Sequence, residues 1–465
     1  MKKRLPSFFE CIALLTITIA LLFAGTVLFK IPIPLLLIVA ASISGVKSYL
    51  LGHSWAEIEG SIVNGIKGTL PAIMILMTVG ILSGSFIASG TIPLLIDYGL
   101  KLIHPGWILP AAYIVCSISS LVIGSSWTTA ATVGVALVGM ANAMHVSPAI
   151  CAGAVVSGAY FGDKLSPLSD TTNLAPGVSD TDLFSHIRAM MFTTIPAWVL
   201  AFIGFLIINM YSVPNNNTQS EQIVSLLQTL ETSFNLNPIV ITPLMLVIIM
   251  ALCKFPAVVI LLSGSTVAIL FGWLVQSQNL LFVLQSSYSG FVIHTNNEII
   301  NNLLNRGGIL SFLETTLIIL CATGLGGIWE SGGYITSIHD NILHKIKTSK
   351  MLIISTVLTA VISNIIMAEQ YLSIVMTGRI YKDAYKRKNL EPYMLSRSLE
   401  DGGTVTSALV PWNSCGAFMS SALGVSTPHY LPYALFNLTM PVVAIVFTAL
   451  GFFIYKKTNI KQHNK

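Results

Sequence analysis

The chain has 465 residues, of which 54% are hydrophobic and only 9% are charged. A soluble domain normally carries about 25% charged residues, so this composition excludes an ordinary soluble protein and indicates that most of the chain lies in lipid. The net charge of +5 comes from short basic clusters between apolar stretches, a pattern typical of cytoplasmic membrane loops and not of a nucleic-acid-binding surface.

The chain begins with a basic cluster that continues into an apolar stretch from Phe8 to Phe29. This stretch is too long for a signal peptide and lacks a small-residue cleavage site, so we expect a first transmembrane helix. A membrane-spanning helix needs about 20 apolar residues. The ten predicted crossings lie at 8–29, 32–50, 70–90, 148–162 with its continuation, 190–211, 238–252, 255–276, 309–329, 394–426 and 430–454.

Two further apolar stretches, at 107–144 and 351–378, are predicted to be re-entrant hairpins. Basic clusters flank the second stretch on both sides, and a single crossing would place one of them outside. Limbs of about 14 residues, or about 21 Å, would also be too short for a hydrocarbon core of about 30 Å. The tips are expected at 124–129 and 363–370. The first stretch has longer limbs, so two full crossings stay open there as an alternative.

The two halves of the chain follow the same order of elements. In each half, an apolar helix with a glycine-rich end precedes a hairpin and then a helix that a polar segment interrupts, and several residues recur at offsets of 240 and 242. By the crossing count, the helices at 70–90 and 309–329 run in opposite directions. The sequence therefore predicts an all-α polytopic membrane protein with two inverted repeats, each with a re-entrant hairpin and a broken transmembrane helix.

The predicted domain organisation follows from these elements. It begins with N-terminal transmembrane helices (1–69) and a first repeat (70–211), whose hairpin lies at 107–144 and whose broken helix lies at 148–185. An external linker (212–237), which contains Glu221 and Glu231, and linking transmembrane helices (238–308) come next. A second repeat (309–455), with its hairpin at 351–378 and its broken helix at 394–426, precedes a cytoplasmic tail (456–465). Both termini are expected in the cytoplasm. Lys30, Lys101 and Arg306 do not fit the positive-inside pattern.

The helix breaks and hairpin tips carry the candidate functional residues. An ionisable side chain at membrane depth costs a few kcal/mol and is a functional hypothesis by default. Irregular backbone at that depth can also present oxygen atoms to an ion or a small solute. The second break is expected to run from 400–404 to 411–414. The candidate ion- or substrate-binding residues are Asp163, Ser166, Ser169, Asp170, Thr171, Thr172, Asn173, Ser125, Ser126, Asn364, Glu369, Glu400, Asp401, Asn413 and Ser414.

These candidates also have purely structural explanations. Asp163 would form a salt bridge with Lys164, and Asp170 or a neighbouring hydroxyl would cap the helix that resumes after the break. The acidic pair of the second break would neutralise Arg397. The six cysteines have no CxxC spacing and are interpreted as small core residues, without disulfides or metal ligation.

A set of oxygen ligands suits a hard cation, so we predict a Na⁺ site at Asp163, Asp170 and Asn173. Pro167 interrupts the helical hydrogen bonds and is expected to leave backbone carbonyls free. A single carboxylate that holds either Na⁺ or H⁺, but not both, would give obligatory antiport. Motifs for ATP hydrolysis, zinc proteases and serine hydrolases are missing from the sequence, so we expect a protein that is not an enzyme and needs no cofactor.

Three motifs resemble those of the NhaC family of Na⁺/H⁺ antiporters in the ion transporter superfamily. They are Gly124-Ser-Ser-Trp-Thr-Thr129, the block from Ser157 to Asn173, and Pro411-Trp-Asn-Ser414. The resemblance covers residues from about 70 to 450 and implies a multi-pass carrier of the bacterial inner membrane that exchanges Na⁺ for H⁺. Similar proteins include malate/lactate exchangers and amino-acid carriers. The second hairpin departs from the first because it carries an acidic residue, Glu369, at its tip.

Two alternatives stay open. An organic-acid (malate or lactate) or amino-acid exchanger of the same fold would need a basic partner for its substrate, and Lys164 is the only basic residue inside a break. A cation channel, from another class, would conduct Na⁺ without moving protons. The expected partners are Na⁺, H⁺ and the lipid bilayer, with a small organic anion or amino acid in the first alternative, and no nucleic acid. A homodimer is left open.

Overall fold

The computed structural model describes residues 3–212, 218–343 and 346–456, and within these ranges the regular secondary structure is helical. The described residues form no β-strand, only an isolated bridge between Leu390 and Lys456. Of the predicted cytoplasmic tail, all but Lys456 lies outside the described residues, as does Lys345 of the basic cluster before the second hairpin.

The first half of the chain contains eleven of the helices in the described residues. They are α1 (Phe8–Val27), α2 (Ile33–Leu50), α3 (Trp55–Lys67), α4 (Leu70–Ala88), α5 (Thr91–Leu102), α6 (Ile108–Ile123), α7 (Ser126–Thr129), α8 (Val135–Ala143), α9 (Pro148–Leu165), α10 (Asp170–Ser179) and α11 (Leu183–Ser212). A π-helical turn at Ala130–Gly134 joins α7 to α8, so the two form one continuous limb.

The connecting region and the second half contain the other helices of the described residues. They are α12 (Thr218–Ser233), α13 (Thr242–Leu252), α14 (Ala257–Leu274), α15 (Leu280–Ser289), α16 (Glu298–Leu304), α17 (Leu313–Ser331), α18 (Tyr334–Leu343), α19 (Ser349–Met367), α20 (Gln370–Arg387), α21 (Pro392–Leu399), α22 (Ser414–Leu423), α23 (Thr427–Tyr430) and α24 (Leu435–Leu450). A second π-helical turn, Glu400–Thr404, follows α21 directly.

The helices fit a multi-pass membrane protein. Among the described residues, eight helices are long and apolar enough to cross a membrane, and two bent helix pairs raise this number to ten. Many large apolar side chains on these helices, such as Phe23, Ile203 and Leu270, are exposed, as expected for surfaces that contact lipid. The predicted all-α polytopic fold with inverted repeats is confirmed, whereas the residue boundaries of its domains stay a prediction.

Both hairpin tips have the same backbone design. At the first tip, α6 ends at Gly124, whose φ of 76° is left-handed, and Ser125 then caps the next helix by accepting a hydrogen bond from Thr128. At the second tip, α19 ends at Ala368, whose φ is 55°, and Glu369 caps α20. A left-handed residue followed by an extended capping residue reverses the chain within two positions, so each tip is compact.

The predicted limb length of the second hairpin is wrong. Its limbs, α19 and α20, have 19 and 18 residues rather than about 14. At 1.5 Å per residue, α19 is about 28 Å long, close to the thickness of the hydrocarbon core. The reason is that the basic cluster after the apolar stretch does not end the helix. It continues through Lys382 and Lys386 to Arg387, with the basic side chains on its polar face.

Each half contains one helix break, but the second lies later than expected. The first runs over residues 166–169, between α9 and α10, where Pro167 had indicated it. The second runs over residues 410–413, with Pro411 inside it, and α22 begins after Asn413. The expected start of the break at 400–404 is wrong, because a π-helical turn accommodates the two consecutive glycines of that segment without unwinding the backbone.

The structural repeat has an offset of 244 residues. This offset relates Gly124 to Ala368, and the segment Ser166-Pro167-Leu168-Ser169 to Val410-Pro411-Trp412-Asn413. Even individual hydrogen bonds recur: Ser120 donates to the Ala159 carbonyl at 2.6 Å, and Asn364 donates to the Gly403 carbonyl at 2.5 Å. The offset of 240 inferred from glycine and asparagine positions is therefore wrong by one helical turn at the breaks.

The predicted linker at 212–237 contains a helix, α12, in its described part. Glu231 of this helix forms a salt bridge with Lys101 at 2.9 Å, and Lys101 also pairs with Asp97 at 2.9 Å. Lys101 did not fit the positive-inside pattern. Its two acidic partners compensate its charge where it lies, but they do not change its place as an exception to the Lys/Arg count.

Helices α6 and α9 pack closely and set the position of the first break against the first tip. Gly162, near the end of α9, lies directly on the backbone of Ser117 and Leu121, where a Cβ atom would collide. This contact holds the last turn of α9 beside the end of α6. The side chain of the next residue, Asp163, therefore reaches the hairpin tip.

Candidate functional site

A cleft of about 790 Å³ lies between the two hairpin tips and the first helix break. The turn between α13 and α14 and the beginning of α4 complete its walls. Eight of the predicted site residues line it, namely Ser125, Ser126, Asp163, Ser169, Asp170, Thr171, Asn173 and Glu369. The structure therefore brings together the two tips and the first break, whereas the second break, which we had expected to meet them, does not line the cleft.

Asp163 is the most buried acidic residue of the first break. It lies in the last turn of α9, is 6% exposed, and its Oδ2 accepts two hydrogen bonds from Ser126 of the first tip, from the hydroxyl at 2.6 Å and from the backbone N–H at 3.2 Å. The hydroxyl of Ser169 is a further neighbour of this carboxylate. Asp163 thus joins the tip to the break at the wall of the cleft.

Asp170 and Asn173 lie one turn apart at the beginning of α10, and both are exposed to the cleft. The Asn173 amide donates to the carbonyls of Pro167, at 2.9 Å, and Ser169, at 2.7 Å. These bonds occupy the amide nitrogen and leave the side-chain oxygen as the ligand that Asn173 can offer. Asp170 follows the cap Ser169, so the structural explanation that a neighbouring hydroxyl caps this helix holds.

Most hydroxyl groups of the first break hold its backbone in place. Ser166 accepts from the N–H of Leu168, and Ser169 accepts from that of Thr172. The Thr172 hydroxyl donates to the carbonyls of Asp163 and Lys164, at 3.1 Å each. The expectation of free carbonyls around Pro167 is therefore wrong for these groups, because side-chain donors replace the interrupted helical hydrogen bonds.

Glu369 brings a third carboxylate to the cleft. It is 3% exposed, and one of its oxygens accepts from the N–H of Leu372 at 2.8 Å, since it caps α20. Tyr371 follows it and is 38% exposed in the cleft, within electrostatic range of Asp163, Asp170 and Glu369. The three carboxylates and this aromatic side chain line the same cleft.

The second break does not line the cleft but supports the second tip from behind. Asn413 donates to the carbonyl of Asn364 at 3.1 Å, and the N–H of Ser414 donates to the carbonyl of Ala368 at 2.9 Å. Asn364 in turn bonds Thr406 at 3.0 Å. The side chains of Asn364 and Asn413 and the backbone N–H of Ser414 thus fix the geometry of the tip. A direct role of these residues in binding stays a prediction.

Glu400 and Asp401 also lie away from the cleft, in the buried π-helical turn. Asp401 forms a salt bridge with Lys164, with Nζ and Oδ1 2.8 Å apart and both side chains almost fully buried. Asp401 is also 3.9 Å from the Arg397 guanidinium, so the predicted neutralisation of Arg397 is present. The alternative pairing of Lys164 with Asp163 is wrong, because the two side chains leave α9 on different sides.

The cleft also contains residues that the sequence reasoning did not select. Gln370 and Tyr371 follow Glu369 in the second tip, and Trp127 and Thr128 follow the serines of the first tip. Lys254 lies at the turn between α13 and α14. Their position next to a tip was the available signal for the first four, whereas nothing local to Lys254 indicates the cleft. Among the described lining residues, three are acidic and one is basic, so the cleft favours cations.

Comparison with known proteins supports this interpretation of the chain. A profile of the Na⁺/H⁺ antiporter family matches residues 3–159 and 158–452. The chain is 37% identical over 463 residues to the malate-2H⁺/Na⁺-lactate antiporter of Bacillus subtilis (strain 168), a match that covers 99% of each protein.

Two further relatives cover almost the whole chain. The Na⁺/H⁺ antiporter NhaC of Alkalihalophilus pseudofirmus is 36% identical over 451 residues, which are 96% of each protein. The arginine/ornithine antiporter ArcD of Halobacterium salinarum is 33% identical over 457 residues, which are 98% of this chain and 94% of ArcD. The relatives therefore share the antiporter class but differ in the substrates that their names give.

Proposed function

Because this chain belongs to the Na⁺/H⁺ antiporter family, and is thus a multi-pass secondary transporter and not an enzyme, we propose that it exchanges Na⁺ for H⁺ across the bacterial plasma membrane. Asp163 is the carboxylate that holds either ion. Asp170, Asn173 and Glu369 contribute oxygens on the way to it, and both termini lie in the cytoplasm.

The observation that carries this proposal is the place of Asp163. Its carboxylate is almost buried, at the junction of the first tip and the first break, and yet borders a wide cleft. A charge in such a place is costly unless a counter-ion or a proton compensates it. Na⁺ and H⁺ each provide this compensation. One carboxylate carries a single negative charge, so it does not hold both ions at once.

Competition at one carboxylate gives coupling. Transport requires that the site turns from one side of the membrane to the other when the carboxylate holds Na⁺ or H⁺. The empty, charged site does not make this change, because moving an uncompensated charge through lipid is costly. The acidic lining concentrates cations in the cleft, and the hydroxyl and backbone N–H of Ser126 hold the carboxylate in position. In this arrangement Na⁺ can bind only after the proton has left.

Lys254 and Gly68, the residue that follows Lys67, are among the residues that line the cleft. The positive-inside rule assigns both lysines to the cytoplasmic side. We therefore assign the structure to a state that is open to the inside. The opposite state would expose the same carboxylate to the outside.

The Asp163→Asn variant tests the proposal. Purified protein in proteoliposomes with an internal pH dye is given a Na⁺ gradient, and then K⁺, Li⁺, malate or lactate in turn. Wild type is expected to move H⁺ against Na⁺, and Asp163→Asn to lose at least about 100-fold of this rate, since it cannot carry a proton. Asp182→Asn, at an exposed loop residue, is the matched control. Unaltered Na⁺-driven proton flux in Asp163→Asn would contradict the proposal, and a Na⁺ current without any pH change would indicate a channel.

The size of the cleft favours a second candidate, exchange of a small organic acid or amino acid together with these ions. Its volume of about 790 Å³ is far more than a Na⁺ ion needs. Lys164 is paired with Asp401 and does not line the cleft, so it is not available as the anchor for a substrate carboxylate. Lys254 is the basic residue at the cleft, and Lys254→Ala is the variant to use. Loss of malate or lactate exchange with intact Na⁺/H⁺ exchange would support this candidate.

A further inference from the structure

A layer of three aromatic side chains lies at one end of the cation cleft. The Trp127 ring, in the first tip, stacks on the Phe418 ring of α22, with ring centroids 4.2 Å apart and ring planes 11° apart. The ring of Phe312 is the next neighbour, with its centroid 6.3 Å from that of Phe418. Trp127 lines the cleft, whereas Phe418 and Phe312 are 0% and 2% exposed. We call these three side chains the aromatic layer.

Helix α22 holds the aromatic layer against both hairpin tips. Phe418 contacts the first tip through Trp127. Three residues earlier, and so on the same side of α22, the Cys415 thiol lies 3.0 Å from the side-chain oxygen of Gln370 in the second tip. Both Trp127 and Gln370 line the cleft. One side of α22 is therefore the place where the two tips and the aromatic layer meet.

Helix α4 indicates which end of the cleft the aromatic layer closes. Ile75, in the second turn of α4, lines the cleft. Gly80 lies five residues further on, about 7.5 Å along the helix axis, and its carbonyl accepts a hydrogen bond from the N–H of Gly308 at 2.9 Å. Phe312 ends the 3-10 turn that follows Gly308. The aromatic layer therefore lies at the end of the cleft opposite to Gly68, on the side that we assign to the outside.

An aromatic layer of this kind excludes hydrated ions. The stacked rings present apolar surface to each other, so water has no hydrogen-bonding partner between them. A hydrophobic constriction is a barrier even without a charged group, because an ion that entered it would have to leave its water behind. While the rings stay stacked, an ion reaches Asp163 from the cytoplasmic side and not from the outside.

The aromatic layer is also next to the proposed exchanging carboxylate. Ser126, whose hydroxyl donates to Asp163 at 2.6 Å, directly precedes Trp127 in the chain. Alternating access requires that Asp163 becomes accessible from the outside in the opposite state. The aromatic layer is therefore the barrier that has to open beside the site.

The backbone on both sides of the aromatic layer is irregular. The π-helical turn Ala130–Gly134 follows Trp127 closely, and α22 begins directly after the second break at residues 410–413. Sharp bends in helices occur at such segments. The ring stack also contains no charge that separation would leave unpaired, unlike the buried salt bridge between Lys164 and Asp401. The layer can therefore open and close in each cycle while that salt bridge stays intact.

We propose that the aromatic layer is the outer gate of the transporter. Trp127 and Phe418 stay stacked while the cleft is open to the cytoplasm, and they separate when Asp163 turns to the outside. No covalent bond changes in this step. The inference rests on the proposed Na⁺/H⁺ exchange and on the inward-open assignment, and it adds the part that keeps the exchange coupled. An open stack together with an open cleft would let Na⁺ pass without a proton.

The first test removes the ring of Phe418. Proteoliposomes with an internal pH dye receive a ²²Na⁺ gradient, and Na⁺ and H⁺ fluxes are recorded together for wild type, Phe418→Ala and the matched control Phe205→Ala. Phe205 is also 0% exposed and its ring lies 5.0 Å from that of Tyr113, but it does not line the cleft. Phe418→Ala is expected to move at least about threefold more Na⁺ per H⁺ than wild type, since the space it leaves breaches the seal. The control should keep the wild-type ratio.

The second test holds the rings' positions together. In the variant Trp127→Cys/Phe418→Cys/Cys415→Ser, a short bifunctional thiol reagent links the two new thiols. The linked protein is expected to lose at least about tenfold of its exchange rate and to recover it when a reductant cleaves the link. Phe418→Cys/Cys415→Ser, which has one thiol at the stack, is the control and should keep its rate after the same treatment.

A wild-type ratio in Phe418→Ala with a native unfolding temperature would overturn the inference. Exchange that continued in fully linked protein, or thiols that the reagent did not join, would overturn it too. Should Phe418→Ala not fold, the linked variant decides alone. If wild type moved no H⁺ against Na⁺, the proposed function itself would fail, and the linked variant would then test the gate on ²²Na⁺ flux.

Discussion

At the residue scale, two neighbours in the sequence have opposite surroundings. Asp163 reaches Ser126 and the cleft, whereas Lys164 reaches Asp401 in the interior. In a helix, consecutive side chains are about 100° apart, so adjacent residues can face different parts of the protein. The sequence shows both charges but not their directions, which depend on where α9 packs.

The salt bridge between Lys164 and Asp401 is expected to stabilise the fold. Lys164→Met leaves Asp401 buried with only Arg397, at 3.9 Å, as an opposite charge, which should lower the free energy of unfolding by about 3 kcal/mol. The measurement is equilibrium unfolding in detergent micelles. The double variant Lys164→Met/Asp401→Asn should recover part of this loss, because it removes the unpaired charge.

Lys382→Met is the matched control for this prediction. Lys382 pairs with Asp180 at 2.8 Å, but the pair is largely exposed. Solvent and salt screen exposed ion pairs, so the same substitution should have little effect there. Equal stability of Lys164→Met and wild type would show that the buried pair contributes nothing net.

At the scale of elements, local residues predict the positions at which helices end. They predict less well which backbone conformation follows the end of a helix. Pro167 and Pro411 mark both breaks, and Gly124 marks the first tip, because each excludes a continuous helix for a reason that can be read from its own backbone. The consecutive glycines in Glu400–Thr404 indicated a break, but tertiary packing holds this segment in a π-helical turn. The lining of the cleft by Lys254 depends entirely on how distant helices pack, so the sequence contains no signal for it.

Equivalent side-chain contacts at the two tips are made by different residue types in the two repeats. With the offset of 244 residues, Asp163 corresponds to Ser407 and Ser126 corresponds to Gln370. Ser407 donates to the Gln370 side chain at 2.8 Å, as Ser126 donates to Asp163. The first repeat therefore has a charged version of a contact that is neutral in the second, so the proposed cation site is asymmetric although the backbone is repeated.

The first tip should not tolerate a side chain at Gly124. Gly124→Ala places a Cβ atom 2.6 Å from that of Leu168 and forces alanine to a φ of 76°, so we expect a loss of stability of about 2 kcal/mol or more, together with weaker Na⁺ binding. Gly177→Ala in α10 is the control, since its Cβ would meet open space, and it should be neutral or stabilising by up to about 1 kcal/mol. Thermal unfolding with and without Na⁺ measures both effects, and equal behaviour of the two variants would contradict the prediction.

At the scale of the whole molecule, several contacts join the first half of the chain to the second. Lys164 and Asp401 do so in the interior, and Asp180 and Lys382 do so at the surface. The two hairpin tips meet in the cleft, so that the site is complete only when both halves are present. The two repeats therefore describe the fold, whereas the candidate site is built from residues of both.

The surface contact between the halves should depend on pH. The Lys382 ammonium holds the pKa of Asp180 below its usual value. Because folding lowers this pKa, the pair stabilises the protein above the pKa of an unfolded aspartate, about 3.9, and the contribution is lost as the pH falls through the folded value. The difference in unfolding temperature between wild type and Lys382→Met should be small at pH 7 and disappear in acid. A difference that grew on acidification would contradict this assignment.

The buried salt bridge between Lys164 and Asp401 restricts how the two repeats can move. It joins α9, the helix that carries the proposed exchanging carboxylate, to the π-helical turn that follows α21 in the opposite repeat. Breaking it in every transport cycle would leave the buried Lys164 ammonium unpaired, so we expect α9 and α21 to move, or to stay still, as one block. In an alternating-access cycle the hinge would then separate this mixed block from the surrounding helices and would not follow the boundary between the two halves of the chain.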